Sequence, residues 1–322
     1  MAELGGPERV QRAMSVLEQY AGAKPGFRRA HARGVGFRGR FTGASEAAAV
    51  TTAEHFQGED IDVVVRLSNG SANPYQVDRS SAKSGAVLGL GVRFELPSGF
   101  TAAWASLSVG AFPARKPDDF IGMTRATARN RQTGLPNFLR LVPFLALHPQ
   151  CIRGAKEIAL IPSTESFATT QFNGLHAYWL VDADGRRRAF RYRWLPVAGI
   201  APVTDAEDRI LPPQYLLSEI KQRIAAKPVA WDLVFQMADR DDPVDDMTRH
   251  WPEDRRQIPA GRLVIDRLHE DQEAIEGLVF DPTKVPPGIE LSDDPVLHFR
   301  SESYTESHRR RTGESKPAIR SE

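Results

Sequence analysis

The sequence predicts an α+β fold, with strands that form hairpins and separate helices. Segment 60–68, DIDVVVRLS, is rich in the β-branched residues that strands favour. Segments 175–182 and 187–194 are strand-like runs, and the Ala183-Asp184-Gly185 turn between them predicts an antiparallel hairpin. Segment 296–311 contains neither glycine nor proline, so it predicts a long helix near the end of the chain.

Composition sets limits on the function. The chain has 322 residues, of which 41% are hydrophobic and 26% charged, and this is typical of a globular protein that can bury a core. The formal net charge of +1 gives no electrostatic reason to expect a nucleic acid or a membrane as partner. A single cysteine, Cys151, excludes an internal disulfide framework and a cysteine-based zinc site.

The N-terminal region predicts a helix over 7–23, because Val10, Met14, Leu17 and Tyr20 recur at spacings of three and four. We expect residues 1–26 to form a helical arm that packs on the body or on a partner subunit. The first residues lack the apolar core of a secretory signal, which favours a cytoplasmic protein.

The middle of the chain alternates helices and strands. Gly89-Leu90-Gly91 does not indicate a dinucleotide site, because a strand follows it where a helix is needed. A proline, Pro136, is expected to divide the helical region 117–148 into two pieces. The further predicted segments are a polar loop at 69–85, a helix at 211–226, strands at 228–237 and 261–266, and a disordered tail at 312–322.

The segment 281–311 carries the chemistry. Pro286, Pro287 and Gly288 predict a loop, and Asp294-Pro295 is a helix start with an N-cap carboxylate before a first-turn proline. On the helix that follows, one face carries Arg300, Tyr304, His308 and Arg311.

Arginine one turn before a tyrosine has a chemical use. A phenol ionises with a pKa of about 10, so a phenolate at neutral pH needs a nearby cation, and Arg300 supplies a permanent one. A phenolate is a hard ligand for ferric iron, and Arg311 could meet a carboxylate of an iron porphyrin. The alternative interpretation is an amphipathic helix with a buried tyrosine and a solvated basic end.

The run PPGIE, SDDPVL and RSESYTESHRRR closely resembles the proximal signature of haem catalases. That resemblance implies that Tyr304 is the axial iron ligand, that Arg300 bonds its oxygen, and that Arg311 binds a haem propionate. His308 shares this face, so we expect it at the cofactor too. The resemblance also implies a relay behind the tyrosine, formed by His176, Asp294 and the proximal Arg300.

A second motif lies near the other end of the chain. The run R-x-x-H-A-R-G-x-G, which begins at Arg28, is similar to the distal stretch of haem catalases. The resemblance makes His31 the acid and base over the iron and Arg28 a propionate partner. Arg66 and Ser68 share one face of the predicted strand. By the same resemblance, Arg66 binds a propionate and Ser68 bonds the distal histidine.

A third region departs from ordinary catalases. FPARKPDDF resembles the run in which two phenylalanines, here Phe112 and Phe120, lie by the distal face. Catalases carry Gly-Asn-Asn before this run, whereas this chain has Ser106-Leu107-Ser108. Short catalase-related peroxidases typically have Leu-Thr there, so Leu107-Ser108 is similar to theirs and Ser108 takes the place of a catalytic asparagine.

Together these resemblances imply one catalase-like domain over 27–311, an antiparallel β-barrel that encloses one haem b and is surrounded by helices. The predicted activity is the reduction of organic hydroperoxides by a small-molecule reductant, with weaker dismutation of hydrogen peroxide, in peroxide detoxification. We expect a homo-oligomer, a dimer rather than a tetramer, and no NADPH. The alternatives are a small true catalase, a fatty-acid hydroperoxide isomerase on the same scaffold, or a non-enzymatic haem-binding protein.

Overall fold

A computed structural model of the protein describes residues 6–78, 85–128, 137–204, 207 and 210–315. Nine strands in this part of the chain belong to one antiparallel sheet. They are β1 Gly34–Gly43, β2 Asp60–Asn69, β3 Leu88–Glu95, β4 Thr101–Leu107, β5 Phe172–Val181, β6 Arg187–Pro196, β7 Val229–Met237, β8 Gln257–Leu268 and β9 Ile289–Leu291.

The sheet closes into an eight-stranded barrel. The strands follow the order β4-β3-β2-β1-β8-β7-β6-β5, and the pair Leu107↔Asn173 joins the last strand to the first. Strand β9 lies outside this ring and pairs with β5. Closure removes the unpaired edges that an open sheet would expose. The predicted α+β fold with an antiparallel barrel is confirmed, and so are the strand at 60–68 and the hairpin of β5 and β6.

Aromatic side chains fill the barrel. Phe41, Tyr192, Trp194 and Phe235 are all but inaccessible to solvent, and the ring of Trp104 contacts three of them within 6.4 Å between centroids. Aromatic pairs of this kind add about 0.5–1.5 kcal/mol each beyond the burial of their area. The barrel is therefore a rigid, packed support, and functional residues must lie at its mouth or on its outer side.

The helices of the described residues lie around the barrel. They are α1 Gly6–Tyr20, α2 Ser45–Ala48, α3 Pro117–Ala126, α4 Phe138–Leu147, α5 Ile152–Leu160, α6 Leu216–Ala226, α7 Gln272–Gly277 and α8 Pro295–Thr312. The apolar face of α1 joins a cluster with Ile121 of α3 and Phe299 of α8, so the N-terminal arm packs on the body. None of these helices is long and apolar enough to cross a membrane.

Most predicted boundaries agree with the structure to within a few residues. The helix predicted at 211–226 begins only at Leu216, because Pro212 and Pro213 disfavour helical backbone at the residues before them. Gly89-Leu90-Gly91 lies inside β3 and opens no helix. Pro136, residues 1–5 of the predicted arm, 79–84 of the predicted loop and 316–322 of the predicted tail lie outside the described residues.

Candidate active site

Helix α8 begins at a buried carboxylate. Asp294 is the N-cap, and its Oδ1 accepts the backbone N–H groups of Val296 at 2.8 Å and Leu297 at 3.3 Å. The proline at 295 occupies the first helical position, where a missing N–H costs nothing. This start fixes which residues of α8 face the barrel, and it places Arg300 and Tyr304 on one side, one turn apart.

The oxygen of Tyr304 accepts two hydrogen bonds from one guanidinium. Arg300 donates from Nε at 3.1 Å and also from a terminal nitrogen. Tyr178 and Tyr192 behave differently, because their hydroxyls donate to the carbonyls of Pro282 and Ala105 and burial raises the pKa of both. Among these three tyrosines only the oxygen of Tyr304 accepts hydrogen bonds from a guanidinium, and such donation by a cation is what a phenolate requires.

Behind this pair, His176 and Asp294 form a buried hydrogen-bonded pair. Nδ1 of His176 lies 2.7 Å from Oδ2 of Asp294. Burial lowers the pKa of His176. Burial alone would raise the pKa of Asp294, but the interactions with His176 and the backbone N–H groups of Val296 and Leu297 together lower it, so the pair is a carboxylate and a neutral imidazole. His176 lies in a register shift of β5 between Gly174 and Tyr178, a bulge that turns the side chain towards α8.

The predicted three-membered relay is therefore joined at one link. Asp294 and His176 are bonded, but the other ring nitrogen of His176 is buried with no partner among the described residues. Arg300 lowers the pKa of His176 through its charge, which shows that the two side chains are close. The structure gives no hydrogen bond between them.

The distal motif converges on His31. Its Nδ1 lies 2.9 Å from Oγ of Ser68, and the residue adopts a left-handed φ of 54°. Burial, followed by the charges of Arg66, Arg300 and Arg28, lowers the pKa of His31 to about 3. The imidazole is therefore neutral at physiological pH. Arg28 of this motif and Arg311 of α8 donate to the same backbone carbonyls, those of Glu276 and Leu278, so the two sequence motifs meet in one place.

Gly89 makes room for this histidine. It is the partner of Ser68 in the β2–β3 ladder, and a Cβ at position 89 would lie 2.5 Å from Cε1 of His31. No real Cβ approaches a ring so closely, so glycine is required here for the imidazole to stay in place. Sequence reasoning missed this residue, since only the ladder register shows what it faces.

Three predicted propionate partners also come together. The end of α7 is surrounded by Arg28, Arg66 and Arg311. Arg28 of the distal motif and Arg66 of β2 both bond the carboxylate of Glu276. Arg311 donates instead to the backbone carbonyls of Glu276 and Leu278 at 3.1 Å. We call Arg28, Arg66, Arg311 and Glu276 the arginine cradle. Glu276 was not predicted, because nothing in its local sequence marks it.

The remaining predicted residues are placed as follows. Phe112 and Phe120 stack with ring centroids 6.0 Å apart. Oγ of Ser108 accepts the backbone N–H of Leu88 at 2.9 Å, and Ser108 lines a cavity of about 810 Å³. His308 points to the end of α7, where its Nε2 bonds the carbonyl of Gly277 at 3.0 Å.

Comparisons with known proteins agree with this architecture. The Catalase family profile matches residues 14–320. A catalase-related peroxidase of Mycolicibacterium paratuberculosis is 33% identical over 94% of both chains, and one of Synechococcus elongatus is 31% identical over 93% of this chain and 87% of its own. A fungal catalase structure superposes with a TM-score of 0.78 at 22% identity, covering 89% of this chain and 59% of its own.

An arginine-bonded tyrosine and a serine-bonded histidine thus lie on an eight-stranded antiparallel barrel in an oxidoreductase of the catalase kind. The chain belongs to the catalase family, whose members act on peroxide.

The residues present fit the haem that this family implies. In the arginine cradle three guanidiniums face one carboxylate, which leaves a formal charge of +2 opposite the two propionates of a haem. The oxygen of Tyr304 has donors on it but no acceptor for a proton among the described residues, as suits an anionic iron ligand. These residues would hold the group through charge-assisted bonds and one axial bond.

Gly89→Ala tests the placement of His31. The added methyl group must displace the imidazole, so we expect the rate of peroxide cleavage to fall about tenfold or more while haem content is retained. Gly91→Ala is the matched control, because its Cβ would meet only the side chain of Phe280. Equal rates in the two variants, measured per haem, would contradict this placement.

Asp294→Ala tests the start of α8. The change removes an N-cap, at a cost of about 1 kcal/mol, and leaves a buried imidazole N–H unpaired, at about 1–3 kcal/mol more. Asp271→Ala removes only the exposed cap of α7 and should cost about 1 kcal/mol. Urea unfolding of the cofactor-free variants measures both. Similar losses would show that the bond to His176 contributes nothing.

Proposed function

We propose that this protein is a haem-b-dependent peroxidase that reduces organic hydroperoxides with a small-molecule reductant and, more weakly, dismutes hydrogen peroxide. The observation that supports this substrate is Ser108, which occupies the position of the catalase asparagine and whose oxygen is engaged by the N–H of Leu88. The site keeps a distal base but lacks an amide to bind a small polar peroxide.

Bound haem would supply the iron centre at which the peroxide O–O bond is cleaved. His31 provides the proton transfer. Its ring is neutral, and Oγ of Ser68 lies 3.5 Å from the carbonyl of Gly89, so the serine donates there and accepts from the Nδ1–H of His31. This tautomer leaves Nε2 unprotonated. It can take the proton of a hydroperoxide and return it to the leaving oxygen.

Arg300 and Tyr304 belong to the proximal motif, which would supply the ligand of the haem iron. The charge and hydrogen bonds of the tyrosine oxygen outweigh burial and raise the pKa of Arg300, so the guanidinium remains a cation. This cation and its hydrogen bonds would favour a phenolate on Tyr304 as the ligand that holds the iron of a bound haem. The side chains of Arg300 and Tyr304 both belong to helix α8, and Asp294 caps the first turn of that helix.

The cavity beside Ser108 also suits an organic substrate. Val109, Ile152, Leu160 and Ile161 contribute apolar groups to its lining, beside the charged Arg153, Lys156 and Glu157, and Ser108 is the one predicted site residue among the residues that line it. Each methylene that an alkyl hydroperoxide buries against such groups contributes about 0.8 kcal/mol, whereas hydrogen peroxide gains nothing from them. Loss of one hydrogen bond that a polar substrate would use costs about 0.5–1.5 kcal/mol. Both effects favour the larger peroxide.

Steady-state kinetics with tert-butyl hydroperoxide and hydrogen peroxide test the substrate. We expect kcat/KM to be roughly 10 to 100 times higher for the alkyl hydroperoxide, with residual dismutation of hydrogen peroxide. Two electrons of a phenolic reductant should be consumed per hydroperoxide. Faster dismutation at equal concentration would indicate a small catalase, and turnover of a fatty-acid hydroperoxide without reductant would indicate an isomerase.

Tyr304→Phe tests the ligand. Because the variant cannot form a phenolate, we expect it to lose the high-spin ferric tyrosinate features of the haem spectrum. Tyr178→Phe is the control, since its hydroxyl donates to Pro282 and is not expected at the iron. If the Soret and charge-transfer bands of Tyr304→Phe match those of the wild type, another residue is the ligand.

A further inference from the structure

The carboxylate of Glu276 bridges two arginines that come from different parts of the chain. Oε2 accepts from Nε of Arg28 at 3.2 Å, and Oε1 accepts from Nε and a terminal nitrogen of Arg66 at 3.0 and 2.9 Å. Each oxygen therefore serves one guanidinium. Arg28 precedes β1 and Arg66 lies on β2, and the side chain of Arg66 is only 4% exposed. Such charge-assisted pairs fix the direction of a side chain as well as its charge.

The end of α7 supports the same arginines with its backbone. Arg28 donates to the carbonyls of Ile275, Glu276 and Leu278, and Arg311 donates to the last two. The carbonyl of Ile275 also accepts the backbone N–H of Leu278 at the C-cap, and the last carbonyls of a helix, which lack helical partners, attract cations. Helix α7 thus presents one carboxylate and several carbonyls to the cradle.

The position of α7 is itself fixed. Its N-cap Asp271 accepts the N–H of Ala274, and Gln272 exchanges two hydrogen bonds with the backbone of Gly36 on β1. Ile275 is buried against Gly36, where a Cβ would lie 2.5 Å from its side chain. Glu276 is therefore held by a packed and hydrogen-bonded element, and its orientation towards the arginines follows from the fold.

Charge in the cradle is only partly balanced. Three guanidiniums and one carboxylate leave +2, and burial, with the charge of Arg66, lowers the pKa of Arg28 to about 9. Burial also lowers the pKa of Arg311, to about 10. Without Glu276 three cations would be buried together with no anion between Arg28 and Arg66. A buried charge that loses its partner is strongly destabilising.

We propose that Glu276 is a positioning residue for the cofactor carboxylates. It holds Arg28 and Arg66 in place before haem binds, and it sets the positive charge of the cradle to the value that balances a dianion. This inference rests on the proposed function, because the propionates of haem are the dianion. Glu276 touches no reacting atom and acts only through the arginines.

The proposal predicts a difference between the empty and the loaded protein. In the cofactor-free protein Glu276 is the only anion that bonds Arg28 or Arg66 among the described residues. In the loaded protein the propionates supply two further negative charges. Removal of Glu276 should therefore destabilise the cofactor-free protein more than the loaded one, whereas a purely structural glutamate would affect both equally.

Thermal unfolding of cofactor-free and haem-loaded full-length protein tests this difference. We expect Glu276→Gln to lower the Tm of the cofactor-free protein by about 5 °C or more, and that of the loaded protein by less than half as much. Glu306→Gln is the matched control, because Glu306 also bonds two arginines, Arg309 and Arg310, outside the cradle. It should lower both Tm values by similar, small amounts. Equal losses for Glu276→Gln in the two states would overturn the proposal.

A charge-restoring variant covers the case in which Glu276→Gln does not fold. The double variant Arg28→Gln/Glu276→Gln removes one cation and one anion, so the cradle regains a formal charge of +2. We expect it to fold and to recover at least half of the Tm lost by the cofactor-free single variant. A double variant less stable than Glu276→Gln would overturn the charge argument.

Haem dimethyl ester, which lacks the two carboxylates, completes the test. Haem should raise the Tm of Glu276→Gln more than that of the wild type, and the ester should not. An equal advantage from the ester would mean that the propionates are not involved. A wild-type protein that takes up no haem would instead overturn the proposed function. The effect of Glu276→Gln on the Tm of the cofactor-free protein can be measured in either case.

Discussion

The pairing of Arg300 with the oxygen of Tyr304 is the interaction on which the rest of this site depends. It needs two residues four apart on a helix that does not fray, so the start of α8 must be fixed. Asp294 fixes it with two backbone bonds and one bond to His176, and the bulge in β5 aims that histidine. A strand irregularity, an N-cap and a buried hydrogen bond thus combine to place one phenolic oxygen.

Arg300 and two arginines of the cradle also determine the protonation state of His31. Arg28, Arg66 and Arg300 all depress the pKa of His31, in addition to the effect of burial, so its imidazole is neutral down to a pH of about 3. A protonated imidazole would be repelled by the groups that bind the cofactor. Positive charge placed to hold an anionic group therefore also keeps the distal base in its proton-accepting form. In the proposed function, cofactor binding and acid–base catalysis are therefore coupled through electrostatics.

Sequence reasoning could predict the parts of the site that are close in the chain. Arg300 and Tyr304 share a helix, Arg66 and Ser68 share a strand, and Asp294-Pro295 is a local helix signal, so periodicity alone places them. Gly89 and Glu276 escaped prediction for the opposite reason. Their roles depend on what β2 and β1 bring next to them, and neither residue has a local pattern. The closure of the barrel between β4 and β5 is likewise a long-range contact.

In the proposed function, Ser108 is a small change in this frame that alters substrate preference without altering the reaction. The residue follows directly on β4, and its oxygen caps the N–H of Leu88 at the start of β3, so the serine satisfies a backbone donor. An oxygen held in this way offers less to a polar substrate than a free amide does. The base, the tyrosine and the arginine cradle depend on none of these bonds. Under the proposed function, peroxide cleavage and peroxide selection are therefore carried by separate parts of the barrel, and selection can change while the proton transfer proposed for His31 stays intact.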